Sequence, residues 1–124
     1  MSAVKYFTPA EANKMLPLVK TIVGDILKAG QTIRELSTKT EKPEEDPEIN
    51  RWMDHLDELF DELEALGCSY RDWNFSEGLV DFPSMLRGQE VFLCWKSDEQ
   101  SVRYYHDLES GYAGRLSIPK EFLA

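Results

Sequence analysis

The spacing between apolar residues changes once along this chain, at Gly67, from the period of a helix to the period of a strand. Upstream, Ala12, Leu16, Val19, Val23, Ile26, Gly30 and Ile33 step by four and three, and Met15, Ile22, Ala29 and Leu36 widen the same face. Ile49, Trp52, Met53, Leu56, Leu59, Phe60, Leu63 and Leu66 repeat the pattern. Residues so spaced share one side of a helix, so two amphipathic helices are expected. Downstream, Val91-Phe92-Leu93-Cys94-Trp95 and Val102-Arg103-Tyr104-Tyr105-His106 are β-branched and aromatic runs around a polar turn. The fold class is α+β: a long antiparallel helical hairpin packed against a small, mostly antiparallel β-sheet.

Local chemistry sets the limits of these elements. Thr8 and Glu11 have the spacing of a capping box, and Pro9 occupies the first helical position, where no N–H is needed. Helix 1 is expected over 8–36, with a kink near Pro17, whose ring removes the bond to the carbonyl of Asn13. Gly24 and Gly30 weaken this helix but permit close approach of a neighbour. Residues 37–46 lack apolar periodicity and are expected to be a mobile connection ending in the cap Asp46-Pro47-Glu48. Helix 2 is expected over 47–66, closed by Gly67 as its left-handed cap. Residues 68–124 form the β-rich unit, with shorter strands at Cys68 to Trp73 and at Leu79 to Phe82, the latter stopped by Pro83.

The 124 residues make one domain, large enough to bury a real core. The net charge of −9 divides as −6 over residues 1–67 and −3 over 68–124. Neither part carries a basic stripe, so no nucleic-acid partner is expected. No apolar run is long enough for a membrane span, and the first residues lack the layout of a signal peptide, so no membrane partner is expected either. The cysteines, Cys68 and Cys94, form neither a disulfide framework nor a CxxC pair, which suits a reducing cytoplasm.

The turn Ser97-Asp98-Glu99-Gln100, taken as a four-residue loop, fixes which side chains share a face. Trp95 then opposes Val102, Leu93 opposes Tyr104 and Val91 opposes His106, all six on one side. Phe92, Cys94 and Lys96 fall on the other side with Arg103, Tyr105 and Asp107. A loop of three or five residues would reverse the relation and bring Cys94 and His106 together.

The blocks Phe7-Thr8-x-x-Glu11-Ala12-Asn13, Gly78-Leu79-Val80-Asp81-Phe82-Pro83, Leu93-Cys94-Trp95-Lys96, Tyr105-His106 and Gly111-Tyr112-x-Gly114-Arg115 carry a resemblance. The chain resembles the bacterial family catalogued as domain of unknown function 2203, over nearly its whole length. The resemblance implies a small cytoplasmic bacterial protein without an established activity, and it carries over no site residues.

Candidate chemistry therefore comes from the residues alone. His106, with Glu109 or Asp81 as carboxylate partner and Arg115 following Gly111 and Gly114, could serve as a general base beside an anion clamp. The leading reading is non-enzymatic. It is an interaction or small-ligand-binding module whose polar site at the sheet edge is built from Asp81, Trp95, Tyr105, His106 and Arg115. Its partner there would be a protein or a small anionic ligand, since Tyr and Arg are common anchors. The competing reading is an enzyme using His106 as acid or base, with Glu109 as candidate orienter. It fails if His106 is buried with both nitrogens satisfied by the fold.

A third reading is zinc bound by Cys94, His106 and one of Asp81, Glu99 or Glu109. The four-residue loop argues against it by separating Cys94 from His106, so no metal or cofactor is assigned. His55, among acidic neighbours on helix 2, is expected to be a surface residue. No GxSxG, GxGxxG or GxxxxGK[ST] motif occurs. The apolar surface of helix 1 exceeds one narrow face, which leaves open a homodimer through the helical hairpin.

Overall fold

The computed structural model describes residues 4–123. Helix α1 spans Pro9–Ser37 and helix α2 spans Pro47–Ala65. They are followed by β1 (Ser69–Tyr70), β2 (Leu79–Leu86), β3 (Gln89–Lys96), β4 (Tyr104–His106) and β5 (Leu116–Ser117). The five strands form one antiparallel sheet in sequential order.

The caps read from the sequence are in place. The Thr8 hydroxyl accepts from the N–H of Glu11 at 3.1 Å, and the Glu11 carboxylate accepts from the N–H of Thr8 at 2.9 Å. Asp46 accepts from the N–H groups of Glu48 and Ile49, and Gly67 closes α2 with φ +98°. Helix α1 continues through Pro17. The connection after it contains one 3-10 turn, Pro43–Glu45. Leu16, Val19, Val23 and Ile26 of α1 and Leu56, Leu59 and Leu63 of α2 form one core with Tyr70, Val80, Phe82, Val91, Leu93 and Trp95 of the sheet. Met53 is the exception on the predicted stripe of α2, being about half exposed.

Strand β2 runs four residues beyond Phe82, through the stop expected at Pro83. The Pro83 carbonyl accepts from the N–H of Phe7 at 2.7 Å, so that edge of the residue faces the N-terminal segment. In a strand the N and O of one residue point to the same side, so the missing N–H costs no bond to β3. The hydroxyl of Ser84, wholly buried, donates to the Phe7 carbonyl at 2.5 Å.

The register of β3 and β4 differs from the one read off the turn. Phe92 pairs with His106, Leu93 with Tyr105 and Cys94 with Tyr104. The loop is therefore one residue longer than four in register, and every side chain of β4 exchanges faces relative to β3. The cause is a tertiary contact. The Asn13 side chain on α1 accepts from the N–H of Val102 at 2.7 Å and donates to its carbonyl at 3.2 Å. Held in this way, Val102 does not join the ladder, and pairing begins at Tyr104. Cys94 and His106 consequently share the face turned away from the helices.

The connection from β1 to β2 is organised by Asp72. Its carboxylate accepts from the N–H groups of Asn74 (3.2 Å), Ser76 (2.9 Å), Glu77 (2.7 Å) and Gly78 (3.0 Å). The loop presses Phe75 against Gly30, where an added Cβ would lie 2.4 Å from the ring. Gly30 is thus the seat for an aromatic ring, whereas Gly24 faces open space.

Candidate functional site

The outer face of the sheet carries a polar group that the core face lacks. Asp81 on β2 stands directly opposite Cys94 on β3, and His106 on β4 stands opposite Phe92, diagonal to Cys94. Directly and diagonally opposed residues are within side-chain reach. Their ligating atoms (a carboxylate oxygen, Sγ and an imidazole nitrogen) all lie within 4.8 Å of one another. Asp81, Cys94 and His106 are 5%, 1% and 3% exposed.

Hydrogen bonding fixes the state of the imidazole. Nδ1 of His106 is 2.7 Å from the carbonyl of Asp107, and Nε2 is 3.0 Å from Oδ1 of Asp81. A carbonyl only accepts, so Nδ1 carries a hydrogen. One further proton then lies between Nε2 and the Asp81 carboxyl, shared across this hydrogen bond. The other carboxylate oxygen, Oδ2, is 3.3 Å from Nε of Arg71. Burial pushes the Cys94 thiol up to about 12, and the neighbouring Asp81 carboxylate adds to the shift. The sulfur is accordingly protonated in this arrangement.

These groups form the floor of a cavity of about 320 Å³, walled by Arg71, Leu79, Phe92, Leu108, Glu109 and Tyr112. Asp107 shapes the far wall: its carboxylate accepts from the N–H groups of Glu109 (3.0 Å) and Ser110 (2.6 Å). Those bonds, Ser110 first, hold its carboxyl below the ordinary range. Gly111, with φ +62°, then turns the chain toward Tyr112.

The structure brings together only part of the expected site. Asp81 and His106 converge, and Glu109 lines the same cavity without bonding either imidazole nitrogen. Trp95 lies on the opposite, core face, 1% exposed, with its indole N–H donating to the carbonyl of Glu99. Tyr105 pairs with Leu93 on that same face. Trp95 keeps its expected place beside Val91 and Leu93; the single-residue change of register carries His106 off that face and Tyr105 onto it.

Arg115 pairs with neither Asp81 nor Glu109. Its Nη2 donates to the Glu99 carboxylate at 2.7 and 2.8 Å and lies 3.5 Å from the Cys94 carbonyl. The guanidinium is 3.9 Å from the ring centroid of Tyr104 and 4.8 Å from that of Tyr112. It braces the β3–β4 turn rather than holding an anion in the cavity. Because His106 is buried with both nitrogens engaged, the expected general base beside an Arg115 clamp is not formed. His55 is exposed on α2, beside Trp52 and remote in sequence from this group.

Two contributors escaped the sequence reading. Cys94 was set apart from His106 by the assumed loop length. Arg71 received no role, although it follows Ser69, the partner of Asp81, by two residues and so shares its face.

A family model for uncharacterised conserved proteins, DUF2203, matches residues 5–118, and the chain belongs to that family. Comparisons with curated proteins and with solved structures gave no match. Among the described residues, no helix is long and apolar enough to cross a membrane.

Proposed function

We propose that this protein is a small-ligand-binding module whose site is the cavity on the outer face of the sheet, and that it takes a compact organic carboxylate. The observation that carries the reading is the cavity itself, about 320 Å³ with a polar floor and walls that combine Leu79, Phe92 and Leu108 with the charged Arg71 and Glu109. That volume is at the small end of ligand sites, which commonly begin near ~300 Å³. Arg71 is the cation for the carboxylate: its side chain is about half exposed, and its terminal nitrogens make no hydrogen bond among the described residues. Leu79, Phe92 and Leu108 would cover the apolar body of the ligand. The free, buried thiols of Cys68 and Cys94 support a cytoplasmic setting.

Benzoate is a suitable probe, because it joins a carboxylate to a flat apolar ring. Titrating it into the ¹⁵N-labelled protein should move the amide signals of Phe92, Leu108 and Tyr112. Arg71→Ala should weaken binding about tenfold, the worth of one charge-assisted hydrogen bond. Absence of shifts, or shifts that survive Arg71→Ala unchanged, would refute the reading.

A homodimer through the helical hairpin has less support. Most of the α1 stripe is buried within the chain, and Leu18 and Met53 are the large apolar side chains left exposed on the two helices.

A further inference from the structure

We propose that Asp81, Cys94 and His106 are three ligands of a zinc ion whose fourth position opens into the cavity. Carboxylate, thiolate and imidazole are all zinc donors, and three protein ligands plus an open position is the pattern of an exchangeable or reactive zinc centre rather than a closed structural one. Three such side chains converge here from three different strands, each more than nine-tenths buried. A core would more cheaply fill that space with apolar residues.

The imidazole is oriented for the task. The Asp107 carbonyl holds the hydrogen on Nδ1, which leaves Nε2, the nitrogen facing Asp81 and Cys94, as the one whose lone pair a metal can take. A ring N–H given to a backbone carbonyl is the usual outer partner of a metal-bound histidine. Zinc would replace two protons, the one on the Cys94 thiol and the one between Nε2 and Oδ1.

Charge and distance agree with this assignment. A thiolate and a carboxylate balance the two charges of the ion, and Arg71 remains on Oδ2, the oxygen not required for coordination. Tetrahedral zinc holds such donors roughly 3.3–3.6 Å apart. Nε2 and Oδ1 are already 3.0 Å apart, and the widest separation in the triad, at most 4.8 Å, has to close by about an ångström. Rotation of the Asp81 or Cys94 side chain provides that movement. Glu109 and Tyr112 line the same cavity.

Cobalt(II) titrated into the chelator-treated, full-length protein tests the site directly. The expected result is a thiolate-to-cobalt absorption band that saturates at one equivalent and is bleached by zinc. Cys94→Ser should abolish the band and weaken zinc binding at least about a hundredfold, more than loss of an outer partner alone. Cys68→Ser should leave both unchanged.

A second measurement needs no variant. Zinc should shift the ring ¹⁵N signal of His106 Nε2 and leave that of His55 in place. No band, a band that persists in Cys94→Ser, or an unmoved His106 signal would each overturn the proposal. The inference does not depend on the carboxylate reading. Zinc alone is the probe, so either result leaves the benzoate experiment to be decided separately.

Discussion

Asp72 and Asp81 are both more than nine-tenths buried, yet their surroundings differ in kind. Asp72 faces backbone. Four N–H groups and the Tyr70 hydroxyl, at 3.4 Å, point at its carboxylate. Asp81 faces side chains that can gain or lose a proton, His106 at 3.0 Å and Cys94 across the strand, with Arg71 behind it. A carboxylate tied to amide hydrogens faces partners that keep their protons, and serves to shape a loop. One tied to an imidazole and a thiol can exchange its partners for a ligand or an ion. Burial and charge alone do not separate the two roles; the titratability of the partners does.

The largest expected effect falls on the first of the pair. Asp72→Ala removes the shared acceptor of four loop N–H groups, that of Gly78 buried, and should cost about 3 kcal/mol in urea unfolding. Acid should reveal the same dependence. Burial by itself would raise the Asp72 carboxyl, but the N–H groups of Glu77, Gly78, Ser76 and Asn74 together hold it below its ordinary 3.8. The folded state thus releases this proton more readily than the unfolded chain does. Its contribution is complete above 3.8 and disappears as pH falls through the lower folded value. Urea midpoints measured down through that range should therefore fall more steeply for the wild type than for Asp72→Ala.

Gly30→Ala comes next. It drives a methyl into Phe75, the ring carried by the Asp72 loop, and should destabilise by about 1–2 kcal/mol despite the better helix propensity of alanine. The smallest cost is expected for Asp81→Asn, about 1 kcal/mol or less, because an amide N–H can donate to Nε2 of a neutral His106. That same variant should lose most of its zinc affinity. A cost for Asp81→Asn equal to that of Asp72→Ala would collapse the distinction between the two aspartates.

The helices were legible in the sequence because their information is local. Thr8 with Glu11, Asp46 with Pro47, and Gly67 each specify a helix end through residues at most three apart. Strand pairing was legible in outline, and Pro83 misled because the edge on which it lacks an N–H faces the N-terminal segment, where only its carbonyl is used. The composition of the site depended on register, and register depended on the grip of Asn13 on Val102, 89 residues away. The turn also holds Glu99 in a dual role, capping the N–H of Lys96 and pairing with Arg115. A four-residue count of polar residues contains neither fact. Once the register is known, Asp81, Cys94 and His106 follow from parity, and so does Arg71.

The Asn13 contact also has a consequence in time. The amide that holds Val102 sits in the second turn of α1, so the last strands of the chain read their alignment from nearly its first helical residues. Closing so long a span is slow compared with forming either helix or the β2–β3 hairpin. The face that carries His106 should therefore be among the last parts of the molecule to acquire its native order. Before α1 has docked, Cys94 and His106 are free to pair across the wrong sides of the sheet, and the site is assembled only when the two ends of the chain meet.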